Sequence, residues 1–168
     1  IRRTISFCEA VFDKEVEVEG VIAKRADSLE EAFAIYEQGQ IPVMIDENGS
    51  IIETLHPPVV VDAILAKRNL GTKITDAPAV IGVGPGFCAG KDVDAVIETK
   101  RGHNLGRVIY EGEAAPNTGI PGIIAGYAKE RVIHAPATGN LHILKQIGEI
   151  VQAGDTIADI EGTPVKTV

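Results

Sequence analysis

Hydrophobic and polar positions change period twice in the first part of the chain. Apolar residues between Arg3 and Phe12 are spaced as on one face of a helix. From Glu15 to Arg25 the spacing becomes two, and this pattern predicts a short β-hairpin that turns at Gly20. Ser28 and Glu31 then form a capping-box pattern, which predicts the start of an amphipathic helix.

The next segments predict further strands and one helix. Ile41 to Asp46 is a short apolar run, and Glu47-Asn48-Gly49 predicts a turn into a second strand at Ser50 to Leu55. Val59 to Asn69 fits a helix that ends at Gly71, although its run of valines also allows a strand.

Ala79 to Val83 reads as a buried strand, and the alternation of strands and helices over residues 1–98 predicts a Rossmann-like α/β unit with a largely parallel sheet. After Gly102, glycine or proline interrupts every short apolar run, which predicts a small β barrel or sandwich. We therefore expect one domain at 1–101 and another at 102–168. The expected strands of the second domain are Arg107–Tyr110, Ile120–Ile124, Arg131–His134, Leu141–Leu144, Ile150–Val151 and Thr156–Ile160.

A glycine-rich loop follows the strand that ends at Val83. It matches the dinucleotide fingerprint G-x-G-x-x-A in spacing, but the next apolar run resembles a strand, whereas that fingerprint must open a helix. What remains is a nest of backbone N–H groups that could bind an anion, with tight structural packing as the alternative. The candidate ligand-binding residues in the loop are Gly84, Gly86, Gly90 and Lys91.

A basic run follows downstream. The guanidinium groups of arginine, with a nearby histidine and asparagine, can bind phosphate or carboxylate. The alternative interpretation is a solvated turn with charged residues on either side. Residues 57–110 carry a net charge of +2, against −7 for residues 1–56 and −3 for residues 111–168. The candidate ligand-binding residues of this run are Lys100, Arg101, His103, Asn104 and Arg107.

The positions of the cysteines and histidines limit which covalent and metal-binding sites the chain could form. Cys88 lies in the glycine loop, where it could serve as a nucleophile or carry a chalcogen, with an inert buried thiol as the alternative. Cys8 and Cys88 are 80 residues apart, so no paired-cysteine motif exists and a cytoplasmic setting is expected. The four histidines show no ligand spacing, so no metal site is expected.

Composition excludes some classes of function. The 168 residues carry a net charge of −8, which disfavours a nucleic-acid partner. The apolar runs are far shorter than the ~20 residues that cross a bilayer, so no membrane association is expected. The content of 45% hydrophobic and 24% charged residues is that of a globular protein.

The C-terminal segment resembles half of a biotinyl/lipoyl-type barrel. The resemblance rests on the Ala135–Gly139 turn and on the run from Ile147 to Glu161. In such carrier domains a lysine occupies the tip of the following hairpin, but here that tip reads Glu161-Gly162 and Lys166 lies beyond it. The resemblance therefore implies the barrel-sandwich shape without biotin or lipoyl attachment, and a second half that completes the barrel.

Across its length the chain resembles the YqeB family, to which an accessory role for selenium-dependent molybdenum hydroxylases is attributed. The resemblance rests on the stretches Ile1–Phe7, Val60–Lys67, Gly84–Phe87, Ile97–Arg107 and Pro116–Gly122. It implies a cytoplasmic maturation factor, with a nucleotide or the molybdopterin cofactor as the anionic ligand. Family members are longer at both ends, so we expect the α/β domain to lack its first strand and the barrel to be incomplete at its C-terminus.

The partners implied are a molybdenum hydroxylase or its maturation machinery, with homo-oligomerisation left open. Two alternatives to ligand binding also stay open. One is a chalcogen-transfer enzyme that uses Cys88, and the other is a non-catalytic scaffold that docks the apo-hydroxylase. The resemblance assigns no catalytic residue.

Overall fold

The computed structural model describes residues 5–167, and the chain divides into two compact units, Ile1–Ala114 and Ala115–Val168. In the described part of unit 1 the helices are α1 (Ala10–Asp13), α2 (Leu29–Glu37) and α3 (Ser50–Leu55), with a 3-10 turn at Phe7–Glu9. The strands of unit 1 are β1 (Glu15–Val18), β2 (Val21–Arg25), β3 (Ile41–Val43), β4 (Val59–Asp62), β5 (Ala79–Val83), β6 (Cys88–Ala89), β7 (Ala95–Ile97), β8 (Val108–Ile109) and β9 (Gly112–Glu113). Unit 2 contains β10 (Leu141–Ile143), β11 (Thr156–Ile160), β12 (Thr163–Lys166) and a 3-10 turn at Lys129–Arg131.

The first sheet of unit 1 has the order β1-β2-β3. The predicted hairpin is confirmed, because β1 and β2 pair antiparallel and β3 then adds parallel to β2. The predicted cap of α2 is confirmed as well. Ser28 Oγ accepts a hydrogen bond from the Glu31 amide at 3.2 Å, and the Glu31 carboxylate accepts one from the Asp27 amide at 2.8 Å. The start of the first predicted helix, at Arg3, lies outside the described residues.

The second sheet of unit 1 has the order β4-β5-β7-β8. Strands β4, β5 and β7 run parallel, and β8 is antiparallel to β7. The core of unit 1 packs against this sheet through Val80, Phe87, Ala89, Val93, Val96 and Ala114. These residues are mostly small, which matches the low aromatic content of 4%. The overall architecture is mixed α/β with several small sheets.

The strand predicted at Ser50 to Leu55 is wrong, because these residues form α3. Asp46 explains the difference. One of its carboxylate oxygens accepts a hydrogen bond from the Ile51 amide at 2.8 Å, and the other accepts one from the Ser50 hydroxyl at 3.0 Å. A carboxylate at this position satisfies the donors at the start of a helix, and the Ile51 amide lowers the pKa of Asp46.

The helix predicted at Val59 to Asn69 is also wrong. The valines form β4, as their β-branched side chains favour. The strand ends at Asp62, whose carboxylate accepts a hydrogen bond from the Ile64 amide at 3.1 Å and so closes a turn. The residues that follow are irregular, with positive φ at Leu65 (59°) and Lys67 (66°).

The chain divides at Ala114–Ala115, whereas the sequence places a domain boundary at Arg101–Gly102. The residues between these points belong to unit 1, because β8 pairs with β7 and β9 pairs with β6. What each of the two predicted domains does stays a prediction.

Unit 2 is built around an antiparallel sheet of order β10-β11-β12, with a small core of Ala158, Ile160 and Val165. Among the described residues of unit 2 no closed barrel forms. The strands predicted at Ile120–Ile124, Arg131–His134 and Ile150–Val151 do not form, apart from one isolated bridge between Ile124 and Tyr127. Short apolar runs alone do not make strands here, because strand formation needs partners that these segments do not meet.

Candidate functional site

Three parallel strands of unit 1 end at one side of the sheet, which we call the carboxyl edge. Their last residues are Asp62 of β4, Val83 of β5 and Ile97 of β7. The registers Asp62 to Gly82 and Val83 to Ile97 bring these ends level with one another. In open α/β sheets, ligands bind in the crevice outside the carboxyl ends of the strands. The segments that follow β4, β5 and β7 are therefore the first place to look for a site.

The glycine loop connects these three ends. The Gly84 amide donates a hydrogen bond to the Ile97 carbonyl at 2.9 Å. A Cβ placed on Gly84 would lie 3.0 Å from Thr99 Oγ1 and 3.2 Å from Leu65 Cδ2. Leu65 follows β4 and Thr99 follows β7, so Gly84 touches the segments on both sides of it. A larger residue would push these segments apart.

Gly86 makes the closest contact at the carboxyl edge. Its φ is +114°, and a Cβ on it would lie 2.6 Å from both the backbone nitrogen and the Cα of Arg68. Backbone atoms cannot move aside as a flexible side chain can, so the position requires glycine on both counts. The contact fixes the loop against the segment that carries Arg68.

Five cationic residues belong to the segments at the carboxyl edge, and all five are exposed. No ion pair within residues 5–167 engages them; the pairs found there join Lys24 to Glu15, Arg25 to Asp27 and Lys145 to Glu149. The cationic residues are Lys67, Arg68, Lys100, Arg101 and Arg107. They concentrate positive charge on one side of a protein whose net charge is −8.

Two of the carboxylates at the same edge are buried and hydrogen-bonded within the protein. Asp62 is 8% exposed, and its second oxygen accepts a hydrogen bond from the Thr72 hydroxyl at 2.6 Å. Glu98 is 6% exposed and accepts a hydrogen bond from the Lys100 amide at 2.7 Å. Both acids therefore shape the loops. Other carboxylates lie nearby: Asp46, Glu47 and Asp76 line a cavity with Asp62, and Glu111 and Glu113 line another with Arg107.

The basic run from the sequence forms the connection between β7 and β8. The Glu98 amide donates to the Arg107 carbonyl at 2.9 Å, which brings the two ends of the connection together. Arg107 in turn donates its amide to the Asn104 carbonyl at 3.0 Å. His103 and Asn104 lie at the exposed tip of this connection. The structure thus brings Gly84, Gly86, Lys100, Arg101 and Arg107 to one edge of the sheet.

The other half of the glycine loop runs away from this edge. A Cβ on Gly82 would lie 2.6 Å from Cγ of Phe87, so the Phe87 ring covers the middle of β5 and the chain turns back along the sheet. The Gly90 amide then donates to the Val93 carbonyl at 2.8 Å, two residues before β7 begins. Gly90 and Lys91 therefore lie near the opposite end of β7, about 10 Å from the carboxyl edge.

Cys88 lies in this returning segment and is half-buried. Its amide donates to the Asp92 carboxylate at 2.9 Å, and the Lys91 amide donates to the Cys88 carbonyl at 3.2 Å. Both hydrogen bonds join residues within the turn from Cys88 to Asp92. Ligand binding by Gly90 and Lys91 and catalysis by Cys88 stay predictions, at a place separate from the cationic edge.

Lys67, Arg68 and Thr99 belong to the carboxyl edge, but sequence reasoning missed them. The run of valines at Val59 to Val61 is the sequence signal that could have placed Lys67 and Arg68 at this edge. Had Val59 to Asp62 been taken as a parallel strand, the basic pair that follows would have been placed beside the glycine loop.

Two other classes of site find no support in the described residues. No group of three or more histidine, cysteine, aspartate or glutamate side chains in residues 5–167 could hold a metal ion. No helix in that range is long and apolar enough to span a bilayer.

Comparison with known proteins identifies the family. The curated "Uncharacterized protein YqeB" of Escherichia coli (strain K12) is 53% identical over 166 residues, which cover 99% of this chain and 31% of that protein. The chain belongs to the YqeB family. It spans about a third of the length of this relative. No family model matches the chain, and no solved structure matches it.

Proposed function

We propose that this chain is the ligand-holding part of an accessory protein for selenium-dependent molybdenum hydroxylases, and that the carboxyl edge binds an anion. The ligand class is a nucleotide or the phosphate of molybdopterin. The observation that supports the proposal is the set of five exposed cations beside a glycine contact at the end of three parallel strands.

The chemistry of the edge suits a phosphate group. Arginine can donate two parallel hydrogen bonds to a phosphate, and lysine adds a mobile positive charge. Gly84 and Gly86 carry no side chain, so the loop packs closely against the segments that carry Thr99 and Arg68 and holds the cations of these segments at the edge. Asp62 and Glu98 are buried, and their oxygens already accept hydrogen bonds from the Thr72 hydroxyl and the Lys100 amide.

The accessory role rests on family membership and on the resemblance stated above. The partner proposed is a molybdenum hydroxylase or its maturation machinery, in the cytoplasm. The finer fold belongs to the same proposal: unit 1 as part of a Rossmann-like domain, and unit 2 as part of a biotinyl/lipoyl-like barrel-sandwich. The parallel order of β4, β5 and β7 supports the first, and the antiparallel hairpin of β11 and β12 supports the second.

Isothermal titration tests the binding site. We expect adenosine diphosphate or molybdopterin to bind, and Arg101→Ala to weaken binding about 10- to 100-fold, since a hydrogen bond to a charged group contributes about 1.5–3 kcal/mol. Lys91→Ala is the matched control, because Lys91 is an exposed cation at the other end of the sheet. Absence of binding, or equal losses in both variants, would overturn the site.

The accessory role needs a separate test. The protein, immobilised at one end, is exposed to apo-hydroxylase and to the mature, cofactor-loaded enzyme. We expect preferential capture of the apo form, because a maturation factor must release its finished product. Equal or absent capture of both forms would contradict the accessory role and would leave the anion site to be judged by titration.

A scaffold that docks the apo-hydroxylase through unit 2 is the second candidate. Its support is the apolar surface of this unit, where Ile147 is 84% exposed and Ile150 is 95% exposed. A double variant with aspartate at both positions should abolish capture of the apo-hydroxylase, whereas Ile45→Asp, at a 56% exposed position in unit 1, should not. Capture that survives the double variant would rule this candidate out.

A further inference from the structure

Within residues 5–167, strand β4 lies at one end of its sheet and leaves one side of its backbone unpaired; we call this side the open edge of β4. The sheet order is β4-β5-β7-β8, so β5 is the neighbour of β4 within the described residues. Val59 is 49% exposed and Val61 is 56% exposed. A run of valines is typical of a parallel strand that is covered on both faces, so this exposure conflicts with the sequence.

The direction of the backbone groups follows from the register. Val59 is the register partner of Ala79, and the Ala79 amide donates to the Pro58 carbonyl at 3.2 Å. In a parallel pair this arrangement turns the N–H of Val60 towards β5. The N–H and C=O groups of Val59 and Val61 therefore face the open edge, ready to pair with another strand.

The other edges in the described part of unit 1 carry features that prevent such pairing. The edge strand β3 has Pro42, which has no N–H to donate, and β1 carries Glu15 and Glu17. Strand β8 has two residues only. By contrast, the outward-facing residues of β4 are both valines. An edge without charge or proline is normally covered in the native protein.

A cavity borders β4 and the segment that follows it. Its volume is about 330 Å³, and it lies between the strand and α3. Its lining is mixed: the apolar part includes Ile52 of α3, Val60 and Val61 of β4, and Ile64 and Leu70 from the segment after β4, and the polar part includes Asp46, Glu47, Asp62 and Asp76.

We propose that a further β-strand, supplied by the part of the protein that lies outside residues 1–168, pairs with the open edge of β4. The E. coli relative has ample chain for this, because the matched span makes up 31% of its length. A second copy of this chain is the less favourable occupant, since each copy carries a net charge of −8 and the two would repel.

Residue-resolved hydrogen–deuterium exchange tests the proposal. The 168-residue chain is compared with the full-length E. coli relative at the positions aligned with Val59, Val60 and Val61. We expect the outer two amides to exchange at least about a hundredfold more slowly in the full-length protein, because strand pairing protects them. The amide of Val60 is the internal control and should be protected equally in both, because it already pairs with β5.

Two results would overturn the proposal. One is equally fast exchange of the outer amides in both proteins, which would show that the edge stays open. The other is protection in the 168-residue chain that rises with its concentration, which would identify a second copy as the occupant. The added strand would be established if the full-length relative gave additional protection to the outer amides alone, independently of protein concentration.

Discussion

Replacing Gly86 with alanine should disrupt the carboxyl edge more than any comparable glycine substitution there. The new Cβ would lie 2.6 Å from the backbone nitrogen and Cα of Arg68, and 2.8 Å from its carbonyl carbon. Contacts this short force the backbone to move, and such overpacking costs about 1–3 kcal/mol. The φ of +114° adds strain of about 1–3 kcal/mol for a residue with a side chain.

Gly102→Ala is the matched control for this prediction. Gly102 has a φ of +133°, but a Cβ there meets nothing within 4 Å. The control therefore carries the strain of a positive φ without the clash. We expect urea denaturation to show Gly86→Ala less stable than Gly102→Ala by about 2 kcal/mol.

The same pair of variants connects packing with function. Gly86→Ala should also weaken anion binding, because the loop can no longer rest against the segment of Arg68. The reasoning is refuted if the two variants lose equal stability, since the contact between Gly86 and Arg68 would then contribute nothing. It is also refuted if Gly86→Ala unfolds with unchanged stability relative to the wild type.

Three further predictions concern the core, the helix cap and pH. Phe87→Ala should lower the free energy of unfolding by about 3–5 kcal/mol, because the ring is 4% exposed, whereas Phe12→Ala, at a 61% exposed position, should cost far less; denaturation checks both. Ser28→Ala should cost about 1 kcal/mol through loss of the α2 cap, measured in the same way. Because the Ile51 amide lowers the pKa of Asp46, that carboxylate should stabilise α3 above the ordinary aspartate pKa and lose this effect as the pH falls through its own lowered pKa. NMR titration should show the Asp46 carboxyl protonating at lower pH than an unstructured aspartate, and an ordinary or raised value would refute this.

Local signals in the sequence predicted the parts of the fold that local chemistry determines. The helix after Ser28 forms because its capping groups lie within the same few residues. The hairpin from Glu15 to Arg25 forms because both strands adjoin one turn. The strand at Ala79 to Val83 was recognisable from its length and its β-branched residues.

The errors come from segments whose structure is decided by residues outside the segment. Ser50 to Leu55 has an ambiguous apolar pattern, and the Asp46 carboxylate resolves it in favour of a helix. The sequence of Val59 to Asp62 is compatible with a helix or a strand, and it forms a strand because it pairs in parallel with β5. Pairing with a strand that is distant in sequence cannot be predicted from the residues of the segment alone.

The sequence was enough to propose candidate residues but not their arrangement, and ligand binding by them stays a prediction. The sequence indicated an anion site in the glycine loop and in the basic run, and both begin at the carboxyl edge. It could not show that the Phe87 ring turns the chain back over Gly82, which separates Gly90 and Lys91 from Gly84. Nor could it place Arg68 against Gly86, because that contact depends on β4 being a strand.

Mapping a bound anion by NMR tests the central claim most directly. Adenosine diphosphate is titrated into the uniformly ¹⁵N-labelled protein and the amide shifts are followed. We expect the largest saturable shifts at Gly84, Gly86 and Lys100, with Gly90 and Lys91 nearly unchanged. Shifts centred on Gly90 and Lys91, or no saturable shift at any amide, would contradict an anion site at the carboxyl edge.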